Sequence, residues 1–146
     1  YMAKKEYFEG ALAPFFRAVG CIPVDRSRRD LSSAKSAMRV LKEGGAIGIF
    51  PEGTRSRDGI PLPFKSGVMM IAKETKAKIV PVVLEGIIDR FEGPKNITPG
   101  TVKITFLPAI ETENLSRDEM KAMPDEIRDK IVAVLKEDGA IPQDAE

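Results

Sequence analysis

The sequence predicts an α/β domain with a mainly parallel central sheet and flanking helices. Three observations predict this class. Apolar runs of strand length alternate with segments of helical periodicity, and turn residues separate the two kinds of segment. Residues 46–50 are a continuous apolar run, which is typical of a strand covered on both faces. The length of 146 residues, with 42% hydrophobic and 31% charged residues, suits one globular domain.

The first half of the sequence predicts a strand, a helix and a second strand in succession. Residues 20–25 are predicted to form a short strand that leaves through a charged turn. Residues 30–43 follow as a helix, because their apolar side chains share one face and Asp30 is a good N-terminal cap. The pair Gly44-Gly45 is expected to end this helix before the strand at 46–50.

The middle of the chain repeats the pattern after a polar loop. Residues 51–65 are rich in proline, glycine and charge, and residues 66–75 are predicted to form a short helix. Residues 78–84 form another apolar strand. Because Pro81 cannot donate to a ladder, we expect an edge position or a bulge there.

The last third predicts a strand and a helical segment. Residues 101–107 alternate between apolar and polar side chains, which indicates a half-buried strand. Residues 116–137 are predicted to be helical in two pieces. Ser116 and Glu119 have the spacing of a capping box, and Pro124 would start the second piece, where its missing N–H costs little.

Composition narrows the functional classes. A formal net charge of +1 argues against strong attraction of the whole chain to nucleic acid or to acidic membranes. A single cysteine, Cys21, excludes an internal disulfide and makes the cytosolic side the default. The chain has no histidine, which removes the commonest general base and metal ligand, so no metal site is expected. We expect one domain over residues 1–146, with residues 138–146 as a frayed tail.

The strongest candidate site follows the 46–50 strand. Glu52, Thr54, Arg55 and Ser56 are polar groups on a turn where Gly53 allows a ligand to approach closely. The Arg55 guanidinium can donate two parallel hydrogen bonds to a phosphate. Residues 65–67, Lys-Ser-Gly, then open a helix whose free N–H groups favour an anion. A solvated loop with a surface ion pair is an equally weighted alternative.

Two further basic clusters are candidate binding sites, one for phosphate and one for a membrane surface. Arg26, Arg28 and Arg29 follow the strand at 20–25 and form a candidate phosphate clamp, with a charged surface before the helix as the alternative. Lys4 and Lys5 precede an aromatic, amphipathic stretch at residues 7–16. Such a stretch suits a membrane surface, but a core-facing helix is the favoured interpretation because the polar side is not strongly basic.

Three blocks of the sequence resemble motifs of the glycerolipid acyltransferases, especially the bacterial 1-acylglycerol-3-phosphate acyltransferases. Residues 50–56, Phe-Pro-Glu-Gly-Thr-Arg-Ser, are similar to the family's most diagnostic block, and residues 20–26, Gly-Cys-Ile-Pro-Val-Asp-Arg, to its arginine block. Residues 79–83, Ile-Val-Pro-Val-Val, resemble the proline block. Residues 3–6 and 63–67 also fit, and the resemblance extends from about Tyr1 to Gly86.

The resemblance implies a glycerol-3-phosphate acyltransferase-like fold, incomplete at its N-terminus, and a set of substrate contacts. Arg26 and Arg55 would contact the phosphate of lysophosphatidic acid, with Lys5, or alternatively Lys4, as a further contact. Glu52 and Gly53 would shape the glycerol pocket. The substrate-binding set that the resemblance implies is completed by Thr54, Lys65 and, near the acyl group, Pro81.

The resemblance also implies the reaction and its partners. The acyl donor would be acyl-CoA or acyl-carrier protein, the acceptor lysophosphatidic acid and the product phosphatidic acid, with no cofactor. The protein would work at a membrane surface, as a peripheral protein on the cytoplasmic face of the cell membrane.

One departure from the family is clear. The family uses a His-x-x-x-x-Asp motif, in which histidine deprotonates the acceptor hydroxyl and aspartate orients the imidazole. This chain contains no histidine, and the motif is expected upstream of Tyr1, although Met2 is a possible start. Cys21 and Glu52 are poor replacements, so the chain alone is predicted to be inactive. The alternative is a non-catalytic module that binds anionic phospholipid or phosphate.

Overall fold

The structure, a computed structural model, describes residues 1–25, 31–54, 56–87 and 99–145. Its described strands form two small sheets. β1 (Met2–Lys4) pairs in parallel with β2 (Ile22–Val24), and β3 (Val82–Glu85) pairs antiparallel with β4 (Lys103–Phe106). The helices in these ranges are a 3-10 helix at Lys5–Phe8, α1 (Ala13–Ala18), α2 (Leu31–Lys42), α3 (Gly67–Thr75) and α4 (Arg117–Glu137). Along the chain, helices α2 and α3 lie between strands β2 and β3, and the α/β class is confirmed.

Three buried clusters hold these elements together. One joins α3 to α4, one joins β3 to α4, and one joins β2, α2 and α3. Their central residues are, in that order, Met69 and Ile127, Val83 and Leu135, and Ile22, Ala37 and Ile71.

Glycines end α2 as predicted. Gly44 has φ +82°, and its N–H donates to the Leu41 carbonyl oxygen at 3.1 Å, while the Gly45 N–H donates to Val40 at 2.9 Å. This left-handed turn is favourable for glycine because it has no Cβ. The cap expected at Asp30 lies outside the described residues.

Helix α4 is continuous, so the prediction of two pieces divided at Pro124 is wrong. The capping box is confirmed: the Glu119 N–H donates to Ser116 Oγ at 3.2 Å, and the Ser116 N–H donates to Glu119 Oε2 at 2.7 Å. A proline inside a helix costs about 3 kcal/mol. Burying each neighbouring apolar side chain contributes about 1.5–3 kcal/mol, which outweighs that cost. Those buried neighbours are Met120, Met123 and Ile127.

The tail after α4 is not frayed over residues 138–141, contrary to our expectation. The Ala140 N–H donates to the Leu135 carbonyl oxygen at 2.8 Å, and Ile141 is buried against Val83. Burial of the single isoleucine holds this short segment against the helix.

Residues 46–50 are extended beside β1 but do not form the strand that the sequence predicts. The Met2 N–H donates to the Gly48 carbonyl oxygen at 3.2 Å. Phe50 is 62% exposed, so the prediction of cover on both faces is also wrong. That backbone hydrogen bond joins this segment to β1, and the Ile47 and Ile49 side chains are only partly buried.

The β3–β4 sheet has a bulge at the position that Pro81 predicts. Ile79 pairs with Ile110 and Val82 pairs with Phe106, so a step of three residues on one strand matches a step of four on the other. This additional residue is the mark of a bulge. The Pro81 carbonyl oxygen still accepts from Leu107 N–H at 2.9 Å.

The expected half-burial of residues 101–107 is wrong. Ile104 and Phe106 are 54% and 70% exposed. The β3–β4 sheet packs on α4 through the opposite face, where Val83 is buried, and leaves its second apolar face uncovered among the described residues.

The core-facing interpretation of residues 7–16 is wrong for most of its apolar side chains. Phe8 is buried, but Tyr7, Leu12 and Phe15 are 47%, 64% and 59% exposed. The aromatic rings pack on one another instead, with the Tyr7 and Phe16 centroids 5.2 Å apart. Within the part of the chain that the structure describes, no helix has the length and hydropathy needed to cross a membrane.

Candidate substrate-binding site

The loop after residues 46–50 is tied to the start of α3. The Gly53 N–H donates to the Phe50 carbonyl oxygen at 3.1 Å, which closes a turn, and the Lys65 N–H donates to Pro51 at 3.0 Å. Helix α3 begins at Gly67, one residue after the predicted start at residue 66. These backbone contacts hold the loop and the helix N-terminus side by side.

The Lys65 side chain lies directly over Gly53. A Cβ placed on Gly53 would come within 2.6 Å of Lys65 Nζ, and the Gly53 φ of +69° also favours glycine. The approach therefore needs a residue without a side chain. It places an ammonium beside a loop of backbone amides next to a helix N-terminus, and both features attract an anion. Ser66, which precedes the helix, makes no side-chain cap.

Glu52 has a structural contact that the sequence did not suggest. Its Oε2 accepts a hydrogen bond from the Leu62 N–H at 2.9 Å. The neighbouring Pro61 carbonyl oxygen accepts from Arg128 Nε at 2.8 Å, and the Arg128 side chain is 18% exposed. Arg128 is 67 residues from Pro61, so no local signal could have linked them. Helix α4 thereby helps to position the segment that Glu52 holds.

The carboxyl ends of β1 and β2 bring a second pair of charges together. Lys4 is paired with Val24 in the parallel register, so Lys5 and Asp25 leave the two strands at the same edge. Lys5 Nζ lies 3.9 Å from Asp25 Oδ2, and the Lys5 side chain is 56% exposed. An exposed pair at this distance contributes about 0–1 kcal/mol, which leaves Lys5 accessible to an anionic ligand.

Of the remaining predicted site residues, some lie among the residues that the structure describes and others lie outside them. Arg26 and Arg55 lie outside the described residues, as do Arg28 and Arg29, so a shared phosphate site for the first two stays a prediction. Thr54 is exposed, and Pro81 is buried at the bulge.

Ser56 is engaged within its own turn. Its Oγ donates to Asp58 Oδ1 at 2.8 Å, and the Ile60 N–H donates to the same oxygen at 3.1 Å. The hydrogen bonds from Ser56 and Ile60 lower the pKa of Asp58. Cys21 is half-buried, which agrees with a packing role.

A basic, glycine-containing loop beside a helix N-terminus is an arrangement that favours an anionic ligand, and in this α/β domain it follows residues 46–50. Comparison with known proteins shows to which family this domain belongs. The family model described as Acyltransferase matches residues 1–85, which is more than half of the 146 residues. The chain belongs to the Acyltransferase family.

Curated relatives agree with this family. The chain is 42% identical over 87 residues to the 1-acyl-sn-glycerol-3-phosphate acyltransferase of Bacillus subtilis, covering 59% of this chain and 43% of the relative. It is 34% identical over 122 residues to the human 1-acyl-sn-glycerol-3-phosphate acyltransferase alpha, covering 81% of this chain and 43% of the relative. The chain thus spans less than half the length of these relatives.

A solved structure has the same fold. The chain superposes on the 1-acyl-sn-glycerophosphate (LPA) acyltransferase PlsC from Thermotoga maritima with a TM-score of 0.78 and 26% sequence identity. The match covers 97% of this chain and 57% of PlsC. The expectation of an acyltransferase-like α/β fold is therefore confirmed.

Proposed function

We propose that this chain is the acceptor-binding part of an enzyme that transfers a fatty acyl group to 1-acylglycerol-3-phosphate, giving phosphatidic acid. The acyl donor is acyl-CoA or acyl-carrier protein. Family membership and the names of the relatives support this proposal. The observation that carries it is the Lys65 ammonium over Gly53, beside the N-terminus of α3.

Each site residue has a role that its chemistry supports. The phosphate group carries about −1.5 to −2 charges at neutral pH and accepts several hydrogen bonds. Arg26 and Arg55 bind it through their planar guanidinium groups, and Lys5 and Lys65 add charge. Glu52, Gly53 and Thr54 border the glycerol moiety, whereas Pro81 shapes the site near the acyl chain.

The chemical step needs a base that this chain does not contain. In the proposed reaction an imidazole removes the proton from the free glycerol hydroxyl, and the hydroxyl oxygen bonds to the thioester carbonyl carbon. The carbon–sulfur bond then breaks and the thiolate receives the proton. The 146 residues include no histidine, so we place the His-x-x-x-x-Asp motif upstream of Tyr1 and expect no turnover by this chain alone.

The experiment compares this chain with the polypeptide that also includes the coding sequence ahead of Tyr1. Phosphatidic acid formation is measured with lysophosphatidic acid and an acyl thioester. We expect activity only in the longer polypeptide, and a KM for lysophosphatidic acid raised at least tenfold by Arg26→Ala or Arg55→Ala. Lys35→Ala, an exposed charge loss on α2, is the control and leaves KM unchanged. Turnover by the 146-residue chain, or an unchanged KM in both arginine variants, contradicts the proposal.

The runner-up is a non-catalytic module that binds anionic phospholipid or phosphate, and the lack of histidine favours it. The same coding sequence separates the two functions. An upstream His-x-x-x-x-Asp motif supports the enzyme. If the upstream sequence lacks that motif and lipid still binds, the module is correct.

We also propose that the protein binds the cytoplasmic face of the cell membrane peripherally. Leu12, Phe15 and Val19 are 64%, 59% and 52% exposed. They follow the exposed basic residues Lys4 and Lys5. Exposed apolar groups near basic side chains suit the headgroup region of a bilayer, where both lipid substrates reside.

A further inference from the structure

Residues 60–64, which we call the connecting segment, join the candidate site to helix α4. Ile60 packs on the buried cluster shared by β3 and α4, and Phe64 packs on the cluster shared by α3 and α4. Pro61, which lies between them in the sequence, is buried as well. Both ends of the connecting segment are therefore anchored by apolar packing that involves α4.

The peptide group between Pro61 and Leu62 forms hydrogen bonds at both of its polar atoms. Its carbonyl oxygen accepts from Arg128 Nε at 2.8 Å, and its N–H donates to Glu52 Oε2 at 2.9 Å. The two polar atoms of a trans peptide point in opposite directions, so Arg128 and Glu52 lie on opposite sides of one planar unit. A rotation of that unit away from Arg128 would also withdraw the donor from Glu52.

The two prolines of the connecting segment, Pro61 and Pro63, make this peptide group hard to replace. Proline has no N–H, so Leu62 carries the only backbone donor in residues 61–63. A shift by one residue in either direction would offer Glu52 no donor at all. The position of the Glu52 carboxylate against this part of the segment therefore depends on the orientation of a single peptide group.

The Arg128 side chain is held in a mostly covered position. It is 18% exposed, and its Nη1 lies 3.8 Å from Oδ1 of Asp129, whose side chain is 75% exposed. Covering a charged group costs free energy unless its donors are used, so the contact with Pro61 helps to offset that cost. The positive charge also polarises the Pro61 carbonyl, which makes the Leu62 N–H of the same peptide a stronger donor to Glu52.

We propose that Arg128 is a positioning residue that makes this site selective for a phosphorylated polyol over a bare phosphate ion. Arg128 holds the peptide that engages Glu52 Oε2, and Glu52 Oε1 makes no hydrogen bond among the residues that the structure describes. A hydroxyl group of the polyol donates to Oε1, whereas the Lys65 ammonium attracts the phosphate. This role rests on the proposed function, in which Glu52 borders the glycerol moiety.

Titration with glycerol 3-phosphate and with inorganic phosphate, followed by NMR, tests the selectivity. Arg128→Met removes the donor to Pro61 and should weaken glycerol 3-phosphate binding by about tenfold, since a charged hydrogen bond is lost. Binding of inorganic phosphate should stay within about twofold of the parent, because salt screens a charge outside the site. The matched control is Arg117→Met, which removes an exposed arginine from the same helix and should leave both affinities unchanged.

Two further variants separate the donor from the bulk of the Arg128 side chain. Arg128→Lys keeps a charged donor and should retain glycerol 3-phosphate binding within about threefold of the parent. Arg128→Gln keeps a neutral donor and should fall between the lysine and methionine variants. The glutamine variant carries the comparison if Arg128→Met does not fold.

A double-mutant cycle tests whether Arg128 acts through Glu52. Glu52→Ala alone should weaken glycerol 3-phosphate binding. Adding Arg128→Met to it should cause less than about twofold further loss, because the carboxylate that Arg128 positions is already absent. An arginine that only stabilised the fold would lower the affinity by the same factor in both backgrounds.

Hydrogen exchange follows the same contact without any ligand. The Leu62 amide should exchange about tenfold faster in Arg128→Met than in the parent, because its hydrogen bond to Glu52 is weakened. The Glu119 amide, which donates to Ser116 Oγ at the start of α4, is the internal control and should keep its rate. An unchanged Leu62 rate would contradict the link to Arg128.

The binding results keep the role of Arg128 apart from the proposed function. If Glu52→Ala weakens glycerol 3-phosphate binding but Arg128→Met does not, the acceptor site stands and the role of Arg128 is wrong. Equal losses for both ligands in Arg128→Met, or multiplied losses in the double variant, also overturn that role. If the parent shows no preference for glycerol 3-phosphate over phosphate, the glycerol contact of Glu52 and the role of Arg128 both fail.

Discussion

The Glu52 carboxylate accepts a hydrogen bond from the Leu62 N–H at 2.9 Å and so closes the loop that borders the candidate site. One carboxylate oxygen of Glu52 is therefore already engaged in a hydrogen bond within the protein. A residue that the family resemblance assigns to substrate also stabilises the loop that presents it. Because the structural role needs only an acceptor oxygen, Glu52→Gln and Glu52→Ala should affect stability differently.

Glu52→Ala is expected to lower the free energy of unfolding by about 1 kcal/mol, because it leaves the Leu62 donor without its acceptor. Glu52→Gln keeps an acceptor oxygen at the same position and should retain most of that stability. Urea unfolding of both variants measures the difference. Equal losses in the two variants would mean that charge, rather than the hydrogen bond, supports the loop.

Gly53→Ala tests the contact with Lys65, with Gly139→Ala as the matched control. The two glycines have φ values of +69° and +71°, so alanine should cost about 1 kcal/mol of backbone strain at either position. Only Gly53 is crowded, since Gly139 has no atom within 4 Å of an added Cβ. The flexible lysine tip can move away, so we expect similar melting temperatures.

The two glycine variants are expected to differ in their affinity for glycerol 3-phosphate. Displacement of the Lys65 ammonium should weaken glycerol 3-phosphate binding by Gly53→Ala and leave binding by Gly139→Ala as in the parent. Isothermal titration calorimetry measures both. Unchanged binding by Gly53→Ala would remove Lys65 from the anion site.

The contact between Asp138 and Lys103 predicts that the folded state loses stability in acid. The hydrogen bond with the Lys103 ammonium lowers the pKa of the Asp138 carboxyl. Because the folded-state pKa is below the unfolded value, the contribution is present above about pH 4 and is lost as the pH falls through the depressed folded value. Asp138→Asn should flatten this part of the pH profile.

The profile is measured by thermal melting across the acidic range. Asp125→Asn is the control, because Asp125 is an exposed carboxylate on α4 without an ion pair among the described residues. The Asp125→Asn profile should follow that of the parent. An equal change in both variants would show that total charge, and not the Lys103 contact, causes the pH dependence.

Phe15→Glu tests the proposed membrane surface. Burial of a phenylalanine side chain contributes about 1.5–3 kcal/mol, so its loss should weaken vesicle binding by about tenfold or more. Sedimentation with phosphatidylcholine–phosphatidylglycerol vesicles measures the partitioning. Met70→Glu changes a similarly exposed apolar residue on α3 and should bind as the parent does. Equal losses would indicate general adhesion rather than a defined face.

Local signals in the sequence determined several elements of this protein. The spacing of Ser116 and Glu119 predicted the start of α4, Gly44-Gly45 predicted the end of α2, and Pro81 predicted an irregular ladder. Each depends on hydrogen bonds or dihedral angles within a few residues. The loop at 51–54 was likewise recognisable, because its residue types match the most diagnostic block of the family.

Only the tertiary structure decided which apolar residues are buried and which distant groups meet. The alternation at 101–107 indicated an apolar face but not whether another element covers it, and Phe106 is exposed. Pro124 would divide an isolated helix, yet packing against α3 keeps α4 continuous. The contact between Arg128 and Pro61 had no local signal, because burial and long-range hydrogen bonds depend on which elements pack together.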